Sequence, residues 1–267
     1  MSRVRTRTSV RVIKIGGRAQ SDPTLPAVLA AAWAAAKSSL VVVHGGGDEV
    51  SALQRTYGAT PTFVSGRRVT SAQDIEILRM ALSGSANKRL VSALVSRGVA
   101  AVGLSGEDAA LLTAAQLESE QLGCVGDPRQ VNVELLRHLL AGGFLPVISP
   151  LSRNETPATG SAALNVNGDD AAAMIAAALE ADELVLVADV PGVLVDGHVV
   201  PELAPVGAGH LIANGAATGG MVAKLEAALA AFASGVARIR IGDVSAIHDS
   251  ASGTVVSRDA ALSRSVA

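Results

Sequence analysis

Short runs of β-branched and leucine residues alternate with longer alanine- and leucine-rich stretches along almost the whole chain, and this alternation constrains the fold most. The strand-like runs fall at Val10 to Ile15, Leu40 to Val43, Ala100 to Leu104, Leu145 to Ile148, Leu184 to Val187 and Ala237 to Ile241. Between them lie helical stretches such as Pro26 to Ala36, Asn87 to Ser96, Glu134 to Ala141, Asp170 to Ala181 and Met221 to Ala233. Strands alternating with helices at this rhythm argue for a parallel sheet covered on both faces. The expected fold is therefore α/β, a three-layer α/β/α sandwich with a mainly parallel central sheet. One antiparallel hairpin should interrupt the second half. There Asp196-Gly197, the pair that type I′ turns prefer, lies between Val193-Leu194-Val195 and His198-Val199-Val200. At 267 residues and 49% hydrophobic, the chain can bury a full core as one domain. The polar stretch Leu151 to Ala163, with Pro157 and Gly160, comes nearest to an internal boundary.

Composition removes several classes of function. A formal charge of -2 gives no cationic excess for phosphate backbones, and one Trp, one Tyr and three Phe leave little on which to stack bases. No nucleic-acid partner is expected. The single cysteine, Cys124, cannot form an internal disulfide, and the early arginines (Arg3, Arg5, Arg7, Arg11) are not followed by the apolar run of a signal peptide. Those arginines read as a solvated tail. No apolar run approaches the roughly 20 residues that cross a bilayer, so no membrane partner is expected and the cytoplasm is the expected location.

Chemistry is concentrated where charge meets glycine. Lys14-Ile15-Gly16-Gly17 ends the first strand, Thr218-Gly219-Gly220-Met221-Val222-Ala223-Lys224 opens the last long helix, and Asn165-Val166-Asn167-Gly168-Asp169-Asp170 lies between them. Two cations beside bare backbone, with a carboxylate to hold them, suit phosphoryl transfer, because that chemistry is mostly positioning and charge neutralisation. In open α/β sheets ligands bind at the carboxyl ends of strands, which is where Lys14 sits. His44-Gly45-Gly46-Gly47-Asp48 follows the second strand, and its glycines form a nest of backbone donors for an anion. His44 itself reads as a structural residue at a strand end. Neither a Gly-x-x-x-x-Gly-Lys-Ser/Thr loop nor a Gly-x-Gly-x-x-Gly after the first strand is present, and the histidines lack metal-ligand spacing.

The motifs taken together resemble the amino acid kinase family. They run in order as Lys14-Ile15-Gly16-Gly17, His44-Gly45-Gly46-Gly47, Gly66-Arg67-Arg68-Val69-Thr70, Gly103-Leu104-Ser105-Gly106, Asn165-Val166-Asn167-Gly168-Asp169, Asp189-Val190-Pro191-Gly192-Val193 and Gly219-Gly220-Met221 to Lys224. The match spans Val10 to Thr254, and it is strongest to members that act on N-acetyl-L-glutamate. The resemblance implies ATP-dependent phosphorylation of that substrate's side-chain carboxylate in arginine biosynthesis. It implies Lys14 and Lys224 as transition-state stabilisers, with Asp169 holding both. Gly16, Gly17, Gly45 and Gly46 would bind phosphates and the migrating phosphoryl group through their amides. Arg68 and Asn165 would hold the amino acid, and Asp189, Gly220 and Met221 would line the nucleotide pocket. Magnesium would arrive with ATP. An amino acid-binding, dimerising lobe over about 10–160 and an ATP-binding lobe over about 161–267 are implied as well.

Residue chemistry refines these roles. A substrate carboxylate, with a pKa of about 4.3, is already ionised at neutral pH, so no general base is needed. Asp169 is preferred to Asp170 as the holder of the lysines because Asp170 is placed to start a helix. Arg68 suits a bidentate grip on the substrate's α-carboxylate; Arg67 reads as solvent-facing, with a swap of roles left open. The acetyl pocket is expected among small apolar residues near Val64 to Thr70. Asp48-Glu49 stands where relatives have Pro-Gln, and Asp48 is expected to cap the following helix and point away. Gly168 stands where alanine is usual and could loosen Asp169. Hexameric relatives inhibited by arginine carry an additional N-terminal helix for which the tail here looks too short, so a homodimer insensitive to arginine is expected. Rival readings are a kinase for aminoadipate or glutamate attached to a carrier protein, an aspartate kinase, and a nucleotide-binding sensor without catalysis.

Overall fold

The computed structural model describes residues 9–36, 38–64, 66–156 and 162–257. Strand β1 (Arg11–Ile15), helix α1 (Leu25–Ala35) and β2 (Leu40–His44) open the chain, followed by α2 (Gly47–Thr56) and a hairpin of β3 (Phe63–Val64) and β4 (Arg67–Arg68). Next come α3 (Ala72–Leu78), a π-helical segment Arg79–Ala86, α4 (Asn87–Val95), β5 (Ala101–Gly106), β6 (Leu112–Gln116) and β7 (Val125–Val131). Then α5 (Val133–Ala141), β8 (Leu145–Asn154), β9 (Ala163–Val166), α6 (Gly168–Ala178) and β10 (Glu183–Val187) follow. The chain closes with β11 (Leu194–Val195), β12 (His198–Val199), β13 (Glu202–Leu203), α7 (Pro205–Ala213), α8 (Gly220–Ala233), β14 (Arg238–Gly242) and β15 (Thr254–Val256).

Eleven strands share one sheet in the order β13-β15-β14-β10-β1-β2-β8-β6-β7-β9, with β5 also on β8. The central run β14-β10-β1-β2-β8-β5 is parallel throughout, as the strand and helix alternation requires. Antiparallel pairings occur toward the margins, at β14 with β15, β6 with β7, and β8 with β9. The last of these places Leu151 to Arg153 opposite Ala163 to Asn165, so both ends of the polar stretch read as a boundary belong to the sheet, while its Pro157 and Gly160 lie outside the described residues. The Asp196-Gly197 hairpin forms as expected between β11 and β12, both turn residues taking the positive φ of a type I′ turn, 51° and 78°. Of the early arginines, Arg3, Arg5 and Arg7 lie outside the described residues. Arg11 is no tail residue: it belongs to β1, and its Nε donates to Glu183 at 2.9 Å.

Alternation along β1 decides what faces what. Val12 packs with Val41, Val43, Leu184 and Leu186 on the face covered by α6 and α8, whereas Ile13 and Ile15 pack on the other face with Leu29 of α1 and Leu90 and Leu94 of α4. Lys14 shares the parity of Val12 and so emerges toward α6 and α8. Because β2 and β10 flank β1 on opposite sides, the loops after these three strands diverge around a crevice at their carboxyl ends. The π-helical segment borders that crevice. Leu82, within it, occupies the space a side chain on Gly46 would need, 2.6 Å from the position of a Cβ there. With φ at 155°, residue 46 has to be glycine for two reasons.

His44 ends β2 completely buried. Its Nδ1 lies 2.8 Å from the Gly45 carbonyl and its Nε2 3.0 Å from the Asn87 amide nitrogen. The consistent assignment is a neutral ring donating from Nδ1 and accepting at Nε2. Burial holds its pKa down at about 4. A folded-state pKa below the unfolded value means that the unfolded chain takes up the proton first as pH falls, so the linked stability is present above about pH 6.5 and is lost on the way to pH 4. Urea unfolding at pH 7 and pH 4 should show a wild-type loss larger by about 3 kcal/mol than that of His44→Gln; equal losses would show that His44 is not the proton-linked group.

Candidate active site

The floor of the crevice is a carboxylate shared by two ammonium groups. Asp169 Oδ1 lies 2.8 Å from Lys14 Nζ, and Lys224 Nζ lies 3.3 Å and 3.2 Å from the two Asp169 oxygens. All three residues are buried, with exposures of 4% for Asp169, 7% for Lys14 and 8% for Lys224. Burial works against ionisation of Asp169, but the charges of Lys14 and Lys224 outweigh it and hold the carboxyl below the usual range. Lys224 is pushed down to about 8, first by burial and then by the neighbouring Lys14 charge, with Asp169 pulling the other way.

Each member is set by local structure. Asn167 caps α6, its side chain accepting from the Asp169 N–H at 2.8 Å, so Asp169 stands in the first helical turn. Neither aspartate is the cap, and the helix begins at Gly168, two residues earlier than expected. A Cβ on Gly168 would meet Lys14 Cε at 3.2 Å, so this glycine makes room for the lysine. α8 starts after Gly219, whose φ of 54° and ψ of -127° turn the chain into the helix, and Lys224 follows one turn inside.

Around this floor opens a cleft of about 660 Å³ that every expected site residue lines. Gly16 and Gly17 after β1 face Gly45 and Gly46 after β2. A Cβ on Gly17 would lie 3.4 Å from the Gly47 nitrogen, so bare backbones meet there. Two of the four expected amide donors are already engaged: Gly16 N–H bonds the Val187 carbonyl at 3.1 Å and Gly45 N–H that of Ile15 at 3.0 Å. Gly17 and Gly46 line the cleft together with Gly47 in the first turn of α2. Gln20 holds this loop by donating to the Gly45 carbonyl at 2.6 Å. Asp48 departs from expectation, being an exposed residue of the first α2 turn with Gly46 at the cap position and no side-chain capping bond.

One end of the cleft is cationic. Arg68 is buried, donating from Nη1 to Gln54 and from Nη2 to the Gly47 carbonyl at 2.7 Å and to Ser51 at 2.9 Å, with Phe63 4.7 Å from its guanidinium. Both terminal nitrogens of the guanidinium expected to hold a substrate carboxylate thus donate to protein acceptors, which fix its position at the cleft wall. Arg67 is not solvent-facing: it lines the cleft and pairs with Asp170 at 2.8 Å. Burial pushes the Asp170 carboxyl up despite that partner. Asn165 lines the same end and donates to Thr70 at 2.9 Å. Apolar wall comes from Val125, Pro150 and Val166, with Phe63 at the edge of the Val64 to Thr70 segment. The other end carries Met221 and Gly220 at the start of α8, Asp189 after β10, and apolar Val193, Leu211 and Ala217. Asp189 pairs with Arg18 at 2.7 Å, and that bond holds its carboxyl below the usual range. Sequence reasoning missed Arg18 and the apolar residues, which carry no signature of their own, and misplaced Arg67, although alternation along β4 puts it on the side opposite Arg68.

A parallel α/β sheet with two lysines sharing a carboxylate at its switch point defines a phosphoryl-transfer enzyme. Residues 9–243 match the amino acid kinase family, and the chain belongs to that family, whose kinases use ATP. It is 45% identical over 244 residues to the acetylglutamate kinase of Chloroflexus aurantiacus, covering 91% of this chain and 95% of that one. It is 44% identical to the acetylglutamate kinase of Roseiflexus castenholzii, over 88% of this chain and 90% of the relative. Among solved structures, smu.665 from Streptococcus mutans UA159 superposes with a TM-score of 0.83 at 29% identity, covering 94% of this chain and 99% of that chain.

The shared carboxylate sets a stability test. Asp169→Asn leaves two buried ammonium groups facing each other and should destabilise the fold by about 3 kcal/mol at pH 7. The deficit should shrink as pH rises toward 10, because the lysines shed protons more readily in the folded variant than in the unfolded chain. Chemical denaturation across that range measures both, and a pH-independent deficit would contradict the charge argument.

Proposed function

We propose that the chain transfers the γ-phosphoryl group of ATP to the side-chain carboxylate of N-acetyl-L-glutamate, giving N-acetyl-L-glutamyl 5-phosphate and ADP, a step of arginine biosynthesis. The observation that carries the reading is the buried Lys14–Asp169–Lys224 arrangement on the cleft floor; the acceptor follows from the acetylglutamate kinases to which the chain is similar.

In this reading the ionised substrate carboxylate attacks the γ-phosphorus and the bond to the ADP oxygen breaks, with no proton to remove. Anionic nucleophile and anionic phosphoryl group repel each other, and the lysines relieve that repulsion. Asp169 keeps the two cations close together without letting them discharge. Gly16, Gly17, Gly45 and Gly46 allow the phosphates to approach the backbone, with the amides of Gly17 and Gly46 available to donate. The amino acid lies at the cationic end beside Arg68 and Asn165, while Asp189, Gly220 and Met221 border the nucleotide at the other end, where the 14-residue helix α8 points its N-terminus at phosphate. Magnesium enters on the ATP phosphates and neutralises charge there; Asp169 is closed on its lysines and is not a ligand for it. Arg67 adds a cation to the mouth, the feature a carrier-linked substrate calls for, but Asp170 neutralises it, which favours the free amino acid. Among the described residues no helix is long and apolar enough to cross a membrane. A cytoplasmic homodimer that arginine does not inhibit completes the proposal, and light scattering with and without arginine checks it.

Trapping of the acyl phosphate with hydroxylamine, using Mg-ATP and in turn N-acetylglutamate, glutamate, aspartate and aminoadipate, tests the reaction. Product should form with N-acetylglutamate alone. Lys14→Ala and Lys224→Ala should each lower kcat by about a hundredfold or more, as loss of a preorganised charge does elsewhere. Since Lys224 has to be charged, kcat/KM should fall as pH rises through about 8, and Lys224→Arg should abolish that fall. A flat profile in the wild-type protein would remove Lys224 from the role.

A further inference from the structure

The loop after β2 is braced from behind. The Gly45 carbonyl accepts two hydrogen bonds, from His44 Nδ1 at 2.8 Å and from Gln20 Nε2 at 2.6 Å. The Gly45 N–H is held too, donating to the Ile15 carbonyl at 3.0 Å. His44 is in turn oriented by Asn87, a second completely buried residue, which donates to His44 Nε2 at 3.0 Å and to the Val147 carbonyl at 2.9 Å. Asn87 stands where the π-helical segment meets α4, and its N–H reaches back five residues to the Leu82 carbonyl. One turn of that segment therefore sets Leu82 against Gly46 and Asn87 against His44. π-helical turns are rare and concentrate at functional sites, and this one supports a single loop.

A trans peptide points its carbonyl and its N–H in opposite directions. Among the described residues no peptide bond is cis, so pinning the Gly45 carbonyl also fixes the direction of the Gly46 N–H. His44 and Gln20 do not line the cleft, whereas Gly17, Gly46 and Gly47 do. Among the described residues the Gly46 N–H has no acceptor, and the Gly47 N–H, at the start of α2, can find none within its own helix. The missing side chain of Gly17 leaves open the space that both amides adjoin, since a Cβ there would stand 3.8 Å from the Gly46 nitrogen and 3.4 Å from the Gly47 nitrogen. Resting on the proposed function, we infer that His44 and Gln20 are positioning residues for the transfer step: by clamping the Gly45 carbonyl they aim the Gly46 amide at the phosphoryl group in transit, while Asn87 fixes the ring of His44. Three glycines in a row have no side chains with which to hold their own backbone, and the φ of 155° at Gly46 is reached easily only by a residue that also leaves it easily. The clamp supplies the missing stiffness. Donors fixed before the reaction need no reorganisation as charge develops.

The test separates binding from transfer in Gln20→Met, His44→Leu and His44→Asn, with urea unfolding as the check that each variant is folded. Gln20 is half-buried, so its variant keeps the question open to measurement if His44→Leu does not fold. Initial rates with Mg-ATP and N-acetylglutamate should show kcat lower by about tenfold in Gln20→Met and about a hundredfold in His44→Leu, the scale of a misplaced reacting group, with both KM values unchanged. In His44→Asn the amide nitrogen falls near the position of Nδ1 and should recover part of the rate. Calorimetry then compares ADP with ADP plus aluminium fluoride, which mimics the phosphoryl group in transit, with and without N-acetylglutamate. Wild-type protein should bind ADP more tightly when the fluoride is present, and Gln20→Met and His44→Leu should lose most of that gain while binding ADP alone as before. Variants that keep both the gain and kcat overturn the inference. Weakening of ADP alone by the same factor overturns it as well, because it shows that the clamp only supports the loop, and so does the absence of any gain in wild-type protein. If wild-type protein gains affinity with the fluoride but makes no acyl phosphate from N-acetylglutamate, the proposed function fails instead, and the variants' response to the fluoride still decides the inference.

Discussion

Two ammonium groups cannot be buried side by side without a negative charge between them, and the rest of this structure is arranged around Asp169 meeting that condition. The attraction does more than cancel repulsion. Because Asp169 accepts from both lysines, it opposes the loss of the Lys224 proton that burial favours, and fixes both head groups within reach of one point in the cleft. The opposing tendencies remain visible in Lys224, whose pKa of about 8 leaves it charged at neutral pH with little to spare. A site that stored less of this tension would neutralise an incoming phosphate less well.

The sheet supplies the three residues from distant parts of the sequence with little adjustment. Lys14 points to the α6 and α8 face by parity with Val12, and the parallel order β10-β1-β2 brings the loops after those strands together at one edge. α6 and α8 pack against each other, so that the first turn of one and the second turn of the other converge under the end of β1. The cap at Asn167 and the backbone turn at Gly219 then set the phase of each helix. A shift of one residue at either start would rotate Asp169 or Lys224 by about 100° around its axis, given 3.6 residues per turn, and dissolve the cluster.

Much of this was legible because it depends on pattern. Short β-branched apolar runs such as Leu184 to Val187, alternating with longer helical stretches, read as strands covered on both faces, and Asp196-Gly197 announces its turn through a dipeptide that tolerates two positive φ values. Lysines next to glycines, with an aspartate at a helix start, identify the site because phosphoryl chemistry leaves few other uses for that combination. What escaped was what depends on a partner. Nothing in the letters Arg67-Arg68 tells which guanidinium finds Gln54 and Ser51 and which finds Asp170, since those partners come from α2 and α6. Asp48 was expected to cap α2, yet Gly46 takes the cap position because its backbone has to bend away from Leu82. The amides of Gly16 and Gly45 looked free and are engaged, since strand pairing continues one residue past the apolar run.

Several groups at the cleft are donors or cations poised for a counterpart. Lys224 is charged against its surroundings, Nη1 of Arg67 is a donor without an acceptor, and the N-terminus of α8 opens on the cleft with no side-chain cap. Each is a positive or hydrogen-donating group, and Lys224 shares its one counterion, Asp169, with Lys14. Buried polar groups are ordinarily paired within the chain, and an anion in the cleft would supply acceptors that the protein does not. The same groups that weaken the empty fold therefore become attractive contacts when the anions arrive, and the free energy of ligand binding and the local instability of the unliganded site are two aspects of one arrangement of charge.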